Sequence, residues 1–497
     1  MGDPALRADA HGSDIVSPDL SPGSTRRMLT AAIEVLTSSL PGHVSSARSS
    51  QSLLARVAPA ILSGLRREER CLLSAGMILA RARSGDSAGA VELVEAEIAR
   101  AVVTHSDVPA ASASAFWAAA SEAFVTAGWP RNGARFALEA KEAADATGSD
   151  SARFRALALL AVSRALNGEY TAAAEVVLSA RTLERNHGWS SSTATYPLLL
   201  GEILLASANL DTASLDSCAV QLSEDPTGDV SWPATATAAR AMSLMVQGQT
   251  SEALTTIMTV TNGTDVSGIT EMIRGFSLGI HADLLLARGE PTRTLALLAG
   301  RESPGGHALC FDMQRAAAHL QLGDYRSVIS ATDSCIRLGT EHCLRTIPPL
   351  LLRRAVAWHR LGRPEAADRD FEDAFHLIVA SGSSTPLLTV PLDDLLLLLD
   401  RLLDRRPELE PRILDVRTRI QRVPAATAPR RIPPLLTKRE TELAHALRRG
   451  TPLRAIAVSQ HVSYNTVKSQ ARSLYVKLAV TSRDEAVQVL EQVGFFD

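Results

Sequence analysis

A helix-ending turn recurs along the chain at a near-constant interval. The segments ARSGDSAGAVEL, VTAGWPRNGARFA, ALNGEYTAAAEVV, MVQGQTSEALTTI, LARGEPTRTLALL, LQLGDYRSVISA and HRLGRPEAADRDF place glycines at Gly85, Gly128, Gly168, Gly248, Gly289, Gly323 and Gly362. Between Gly168 and Gly248, LASANLDTASLDS supplies a turn at Asn209, and Asn is the next-best residue for a left-handed helix end. The eight positions are spaced 43, 40, 41, 39, 41, 34 and 39 residues apart. Such a period predicts stacked helical hairpins, because one helix pair cannot bury its apolar faces alone and needs neighbours. The flanks are rich in Ala and Leu, and aromatics are only 4% of the chain, which favours close-packed helices over sheet.

With 497 residues the chain exceeds one compact core. The turn pattern resembles tetratricopeptide-like repeats, whose Gly-x-Tyr turn stands here as Gly168-Glu-Tyr170 and Gly323-Asp-Tyr325. Most spacings depart from that family's 34 residues, so the likeness is to the architecture. Residues 1–23 are polar and read as disordered, 24–404 as the helical repeat domain, 405–434 as a Pro/Arg-rich linker and 435–497 as a separate domain. Within the linker, Pro424, Pro429, Pro433 and Pro434 rule out a continuous helix. The expected fold class is all-α, a TPR-like helical-hairpin solenoid followed by a small four-helix domain.

Several function classes drop out. The chain has four lysines, Lys141, Lys438, Lys468 and Lys477. A phosphate-binding loop needs G-x-x-x-x-G-K-[ST], and Lys141 has no glycine nearby, so a P-loop ATPase is excluded. No HExxH, GxSxG or clustered ligand set is visible, so no enzyme activity, cofactor or metal is expected. Five cysteines without a CxxC, Cys71, Cys218, Cys310, Cys335 and Cys343, read as buried free thiols in a reducing cytosol. The richest apolar run, Leu395 to Leu399, is far short of the ~18 residues of a membrane span. No membrane partner is expected, and the location is read as cytoplasmic and nucleoid-associated.

The C-terminal residues follow capping rules. Thr437-Lys-Arg-Glu440 is a capping box that starts a helix ending at Gly450. Thr451-Pro452 reads as an N-cap followed by proline at the first helical position. Ser463 caps a third helix, over about 464–478, whose Val467, Ala471, Leu474 and Leu478 form one apolar stripe. Ser482-Arg-Asp-Glu485 starts a fourth helix. From Leu443 to Arg483 there are seven basic residues and no acidic one. Residues 431–497 carry ten basic and six acidic residues, a net of +4, so the remainder carries −7 of the total −3. A basic tail on an acidic body is the electrostatic footprint of DNA binding.

The segment LTKRETELAHALRRGTPLRAIAVSQHVSYNTVKSQARSLYVKLAVTSRDEAV resembles a LuxR-type helix-turn-helix domain without gaps. The anchors are Leu436-Thr437, Arg439-Glu440, Leu443, Gly450, Ile456-Ala457, Ser463, Thr466-Val467-Lys468, Lys477-Leu478, Arg483 and Ala486-Val487. Pro452, Ala455, Gln460, Gln470 and Ala479 depart from the family's usual Ser, Glu, core Leu, His and Gly. A Gln buried at 460 without a partner would cost roughly 1–3 kcal/mol. The resemblance implies a transcriptional regulator whose third helix enters the major groove of double-stranded promoter DNA. It implies base contacts from Lys468, Ser469 and Arg472, and phosphate contacts from Ser463, Thr466 and Lys477. Tyr464, Asn465 and Tyr475 are further candidates for DNA contact. It also implies a dimer through the fourth helix, about 484–493; Val487, Leu490 and Val493 either supply the seam or pack on the domain's own core. The repeat array would serve an unknown protein or small-molecule partner, and RNA polymerase is a further candidate partner. The alternative is a TPR-like scaffold whose tail has lost DNA binding.

Overall fold

The computed structural model describes residues 22–43, 47–103, 108–189, 194–224, 229–262, 269–303, 305–422, 436–478, 480, 482–492 and 495. Among them are twenty-four α-helices and no extended strand. Helices α1 (Pro22–Thr37) and α2 (Arg48–Ala55) come first. Eight hairpins follow: α3 (Arg67–Arg83) with α4 (Ser87–Ala99), α5 (Ala110–Thr126) with α6 (Pro130–Thr147), α7 (Asp150–Asn167) with α8 (Tyr170–His187), and α9 (Tyr196–Ala208) with α10 (Thr212–Ser223). The second four are α11 (Ser231–Val246) with α12 (Thr250–Thr261), α13 (Glu271–Ala287) with α14 (Pro291–Leu297), α15 (Phe311–Gln321) with α16 (Tyr325–Leu338), and α17 (Ile347–Arg360) with α18 (Pro364–Ser381). Helices α19 (Leu392–Arg405) and α20 (Glu410–Arg422) end the series.

All eight hairpin turns are built the same way. The first residue after the turn donates its N–H to the carbonyl five residues back. These bonds are Asp86 to Arg81, Trp129 to Phe124, Glu169 to Arg164, Asp211 to Ala206, Gln249 to Leu244, Glu290 to Leu285, Asp324 to His319 and Arg363 to Trp358, at 2.8–3.0 Å. This closure puts the preceding residue in the left-handed region, where glycine has no Cβ to clash. Seven of the eight are the glycines named from sequence, with φ between 69° and 90°. The eighth corrects the sequence. Asn209 is right-handed at φ −97°, and Leu210 takes the left-handed position at φ 57°. The donor there is Asp211, so the closing bond fixes the register and Leu210 bears the strain. Asp86, Asp211 and Asp324 then cap the second helices, accepting from the N–H of Gly89, Ser214 and Ser327. Trp129, Glu290 and Arg363 instead precede a proline at the first helical position.

The described residues divide into two compact units, one of residues up to 243 with 255–278 and 304–309, the other of 244–254, 279–303 and 310 onward. In the first unit α1 and α3 approach so closely that a Cβ on Gly76 would lie 2.6 Å from Ala32 Cβ. The same core holds a buried charge cluster. Glu122 accepts from Arg83 Nε at 2.6 Å and from Arg155 Nη2 at 3.0 Å, and Arg155 also donates to the Ser39 carbonyl at 3.1 Å. Burial pushes the Glu122 carboxyl up, but the two guanidiniums outweigh it and hold it below the usual carboxylate range. Burial in turn drags Arg155 down to about 10.

In the second unit Phe371, Phe375 and Ile378 of α18 pack on Leu395, Leu398, Leu399 and Leu402 of α19. Of the apolar run at 395–399, Leu395, Leu398 and Leu399 face this core, while Leu397 points to solvent. No helix among the described residues is long and apolar enough to cross a membrane. Residues 405–434, read from sequence as linker, need a correction. Helix α20 occupies 410–422 and buries Ile413 and Val416 to 1% exposure. Pro424, Pro429, Pro433 and Pro434 lie outside the described residues, as do residues 1–21. All five cysteines are buried and none is in a disulfide, and burial pushes the thiols of Cys71 and Cys218 up to about 12.

Candidate nucleic-acid interface

Four helices form the C-terminal domain, α21 (Lys438–Arg448), α22 (Leu453–Ser459), α23 (Tyr464–Lys477) and α24 (Arg483–Gln492). The capping box at the start of α21 is complete. Glu440 N–H donates to Thr437 Oγ1 at 3.3 Å, and Thr437 N–H donates to Glu440 Oε2 at 2.8 Å. Glu440 is buried and Ser473 of α23 donates to its other oxygen at 3.5 Å, so this pair is structural. Helix α21 ends at Gly450, φ 78°. Helix α22 begins one residue later than the sequence implies, with Pro452 as N-cap. The turn into α23 closes by a bond from Val462 N–H to the Ala457 carbonyl at 3.0 Å, with His461 left-handed at φ 53°. Ser463 Oγ then accepts from Thr466 N–H at 3.1 Å, as expected of an N-cap.

One face of α23 forms the core. Val467, Ala471, Leu474 and Leu478 are buried with Leu443, Leu447, Ile456, Ala486 and Leu490. The opposite face carries Lys468, Ser469 and Arg472, all exposed. A rigid helix thus presents two cations and a hydroxyl on one outward strip, anchored from behind by a packed stripe. Asn465 is exposed as well. Tyr464 is 43% exposed, and its ring lies under the Arg454 guanidinium at 5.7 Å. That contact joins α22 to the start of α23 and adds Arg454 to the cationic strip, a pairing that ten residues' separation did not announce. Ser463 and Thr466 hydroxyls lie 2.8 Å apart at the exposed N-terminus of α23, where helix N–H groups favour anions.

Other expected contacts are placed elsewhere. Tyr475 is half-buried against the domain core, and burial raises its phenol above the usual value. The Lys477 side chain lies outside the described residues. Arg483 turns inward, donating Nε and Nη2 to the Leu447 carbonyl at 3.1 and 2.5 Å. It ties α24 to the C-terminal end of α21, where a cation complements the helix dipole. Arg448 pairs with Glu491 at 3.3 Å. Of the seven basic residues, Arg449, Arg454, Lys468 and Arg472 make no ion pair among the described residues, which leaves the outward charge on α22, α23 and the end of α21.

Of the two roles open to the fourth-helix residues, core packing holds for Leu490. Leu490 is fully buried in the domain's own core, Val487 is partly buried against it, and Val493 lies outside the described residues. Gln460 is half-buried at the C-terminal end of α22, so the cost of a core glutamine does not arise. Gln470 is the position under strain, since its Oε1 is buried without a hydrogen-bond partner among the described residues. One cluster in the second unit also escapes a linear reading. Cys310, Cys335 and His342, which look scattered in sequence, are gathered within 4.8 Å.

Residues 434–490 match the model of the bacterial regulatory proteins, luxR family. This segment is a LuxR-family helix-turn-helix domain at the C-terminal end of an otherwise helical chain. The family is one of non-enzymatic, DNA-binding transcription regulators. No curated protein matches the chain.

Proposed function

We propose that this chain, carrying a LuxR-family DNA-binding domain, is a sequence-specific transcriptional regulator whose α23 reads promoter DNA in the major groove. The observation that carries this reading is the outward strip of Lys468, Ser469 and Arg472 on a helix whose other face is fully packed. Arg and Lys on such a helix meet the O6 and N7 acceptors of guanine. Ser463 and Thr466, at the N-terminus of α23, hold a backbone phosphate, and Lys477 holds a second. The exposed Tyr464 and Asn465 flank the strip, and Tyr475 serves the core. The DNA-binding domain spans 435–497 and the repeat domain 24–404, with the array sensing a protein or small molecule. The protein acts in the cytoplasm on the nucleoid. Its self-association through 484–493 uses the exposed side of α24, since Leu490 faces inward.

The test is selection of duplexes from a random pool by the full-length chain. Enrichment of a common sequence, with affinity that falls as salt rises, supports the reading. Recovery of unselected DNA, bound no more tightly than bulk duplex, refutes it and favours a protein-binding scaffold.

A further inference from the structure

The second unit gathers soft metal ligands where the DNA-reading domain plays no part. Cys310 stands just before α15, Cys335 lies in the last turns of α16, and His342 follows the short turn after α16. Their exposures are 3%, 0% and 1%. The two sulfurs are 3.6 Å apart, and the ligand atoms of the three residues lie within 4.8 Å of one another. A tetrahedral zinc with ~2.3 Å bonds to sulfur holds two thiolates about 3.7–3.8 Å apart. A disulfide needs about 2.05 Å. The observed spacing matches the metal.

The imidazole is oriented for the same task. His342 Nδ1 lies 3.0 Å from the Cys343 carbonyl oxygen, which can only accept. In the neutral ring Nδ1 therefore carries the proton and Nε2 carries the lone pair, as in metal-bound histidines held by a backbone carbonyl. Asp312 supplies a carboxylate at the edge, its Oδ2 3.7 Å from Cys335 Sγ, while its other oxygen accepts from Arg315 at 2.6 Å. Apolar packing gives no reason to collect two thiols and an imidazole in one buried place. Two thiolates also cancel the charge of a divalent ion, which allows it to be buried.

We infer that Cys310, Cys335 and His342 form a zinc site that clips the segment before α15 to the end of α16 and the turn into α17. Binding releases the two thiol protons to solvent and forms two Zn–S bonds and one Zn–N bond. Water takes the fourth position. The ion closes the α15–α16 hairpin at the end opposite its glycine turn, so it stabilises that hairpin and what packs on it. This inference does not rest on the DNA-reading proposal, and either can fail alone.

The test uses the tag-free, full-length chain purified without chelator. Elemental analysis is expected to find one zinc per chain. Outer partners of a bound metal are typically worth about 10–100-fold in affinity, so Cys335→Ser and His342→Ala should lose at least that much. Cys218→Ser, at a buried thiol of the other unit, should keep its zinc. Chelated wild-type protein titrated with Co²⁺ should show thiolate-to-cobalt charge transfer, a readout that needs no variant to fold. The inference is overturned if wild type holds no more zinc than a Cys310→Ser/Cys335→Ser double variant, or if cobalt gives no thiolate band. A Cys310–Cys335 disulfide in freshly prepared, metal-free protein overturns it equally.

Discussion

Consider Lys468→Ala and Arg472→Ala, made singly in the full-length chain. Both side chains are exposed on α23 and make no ion pair among the described residues. The buried stripe of Val467, Ala471 and Leu474 lies on the other face. Alanine is the best helix former, so each change should alter folding by less than about 0.5 kcal/mol. Each should weaken binding to a selected duplex by about 1–3 kcal/mol, which is roughly 5–150-fold in Kd. The loss should be smaller on unselected DNA, because a base contact is specific and a phosphate contact is not. If either side chain holds only a phosphate, the loss is uniform and the salt slope falls by about 0.9. Arg483→Ala is the opposite case. Its guanidinium donates twice to the Leu447 carbonyl, and charge-assisted bonds of this kind contribute about 1.5–3 kcal/mol to stability. Fluorescence anisotropy at two salt concentrations measures binding, and thermal unfolding measures stability. Undiminished affinity in both Lys468→Ala and Arg472→Ala refutes the assignment of α23 as the reading helix. So does a pattern in which those variants unfold while Arg483→Ala stays stable.

Other outcomes follow from the repeat array. Glu122→Ala leaves the buried Arg155 without its carboxylate, a loss of about 3–5 kcal/mol. For a unit of this size, at about 2–4 °C per kcal/mol, its thermal midpoint should fall by roughly 6–20 °C. The same residue gives a pH signature. Its folded pKa is depressed, so its contribution is present above the ordinary value of about 4.3 and is lost as pH falls through the folded value. Acid titration of stability in Glu122→Gln should lack that component. Gly76→Ala would gain about 1 kcal/mol in helix propensity. It also places a methyl 2.6 Å from Ala32 Cβ and 2.8 Å from Ala32 Cα, an overpacking cost of about 1–3 kcal/mol. The midpoint should fall, and a rise would show that α1 can move aside.

What was legible in the chain was whatever lies within about six residues. The hairpin turns are read from a recurring glycine, because the left-handed helix end it permits acts on adjacent backbone groups. Leu210 was missed because its left-handed conformation is imposed by the bond from Asp211 to Ala206 and not by its own type. Helix α20 was missed because prolines further along dominated the composition, while Ile413 and Val416 reveal themselves only by burial.

Sequence alone determined that the chain is helical, that its hairpins repeat, and that its tail is a basic helix-turn-helix domain with Lys468, Ser469 and Arg472 outward. Those properties come from periodicity, caps and local charge. Tertiary structure decided which basic residues remain outward, since Arg483 is drawn in by a carbonyl thirty-six residues away. It decided between seam and core for Leu490, and it gathered Cys310, Cys335 and His342. Each of these depends on where distant helices meet, and that is set by the packing of whole faces.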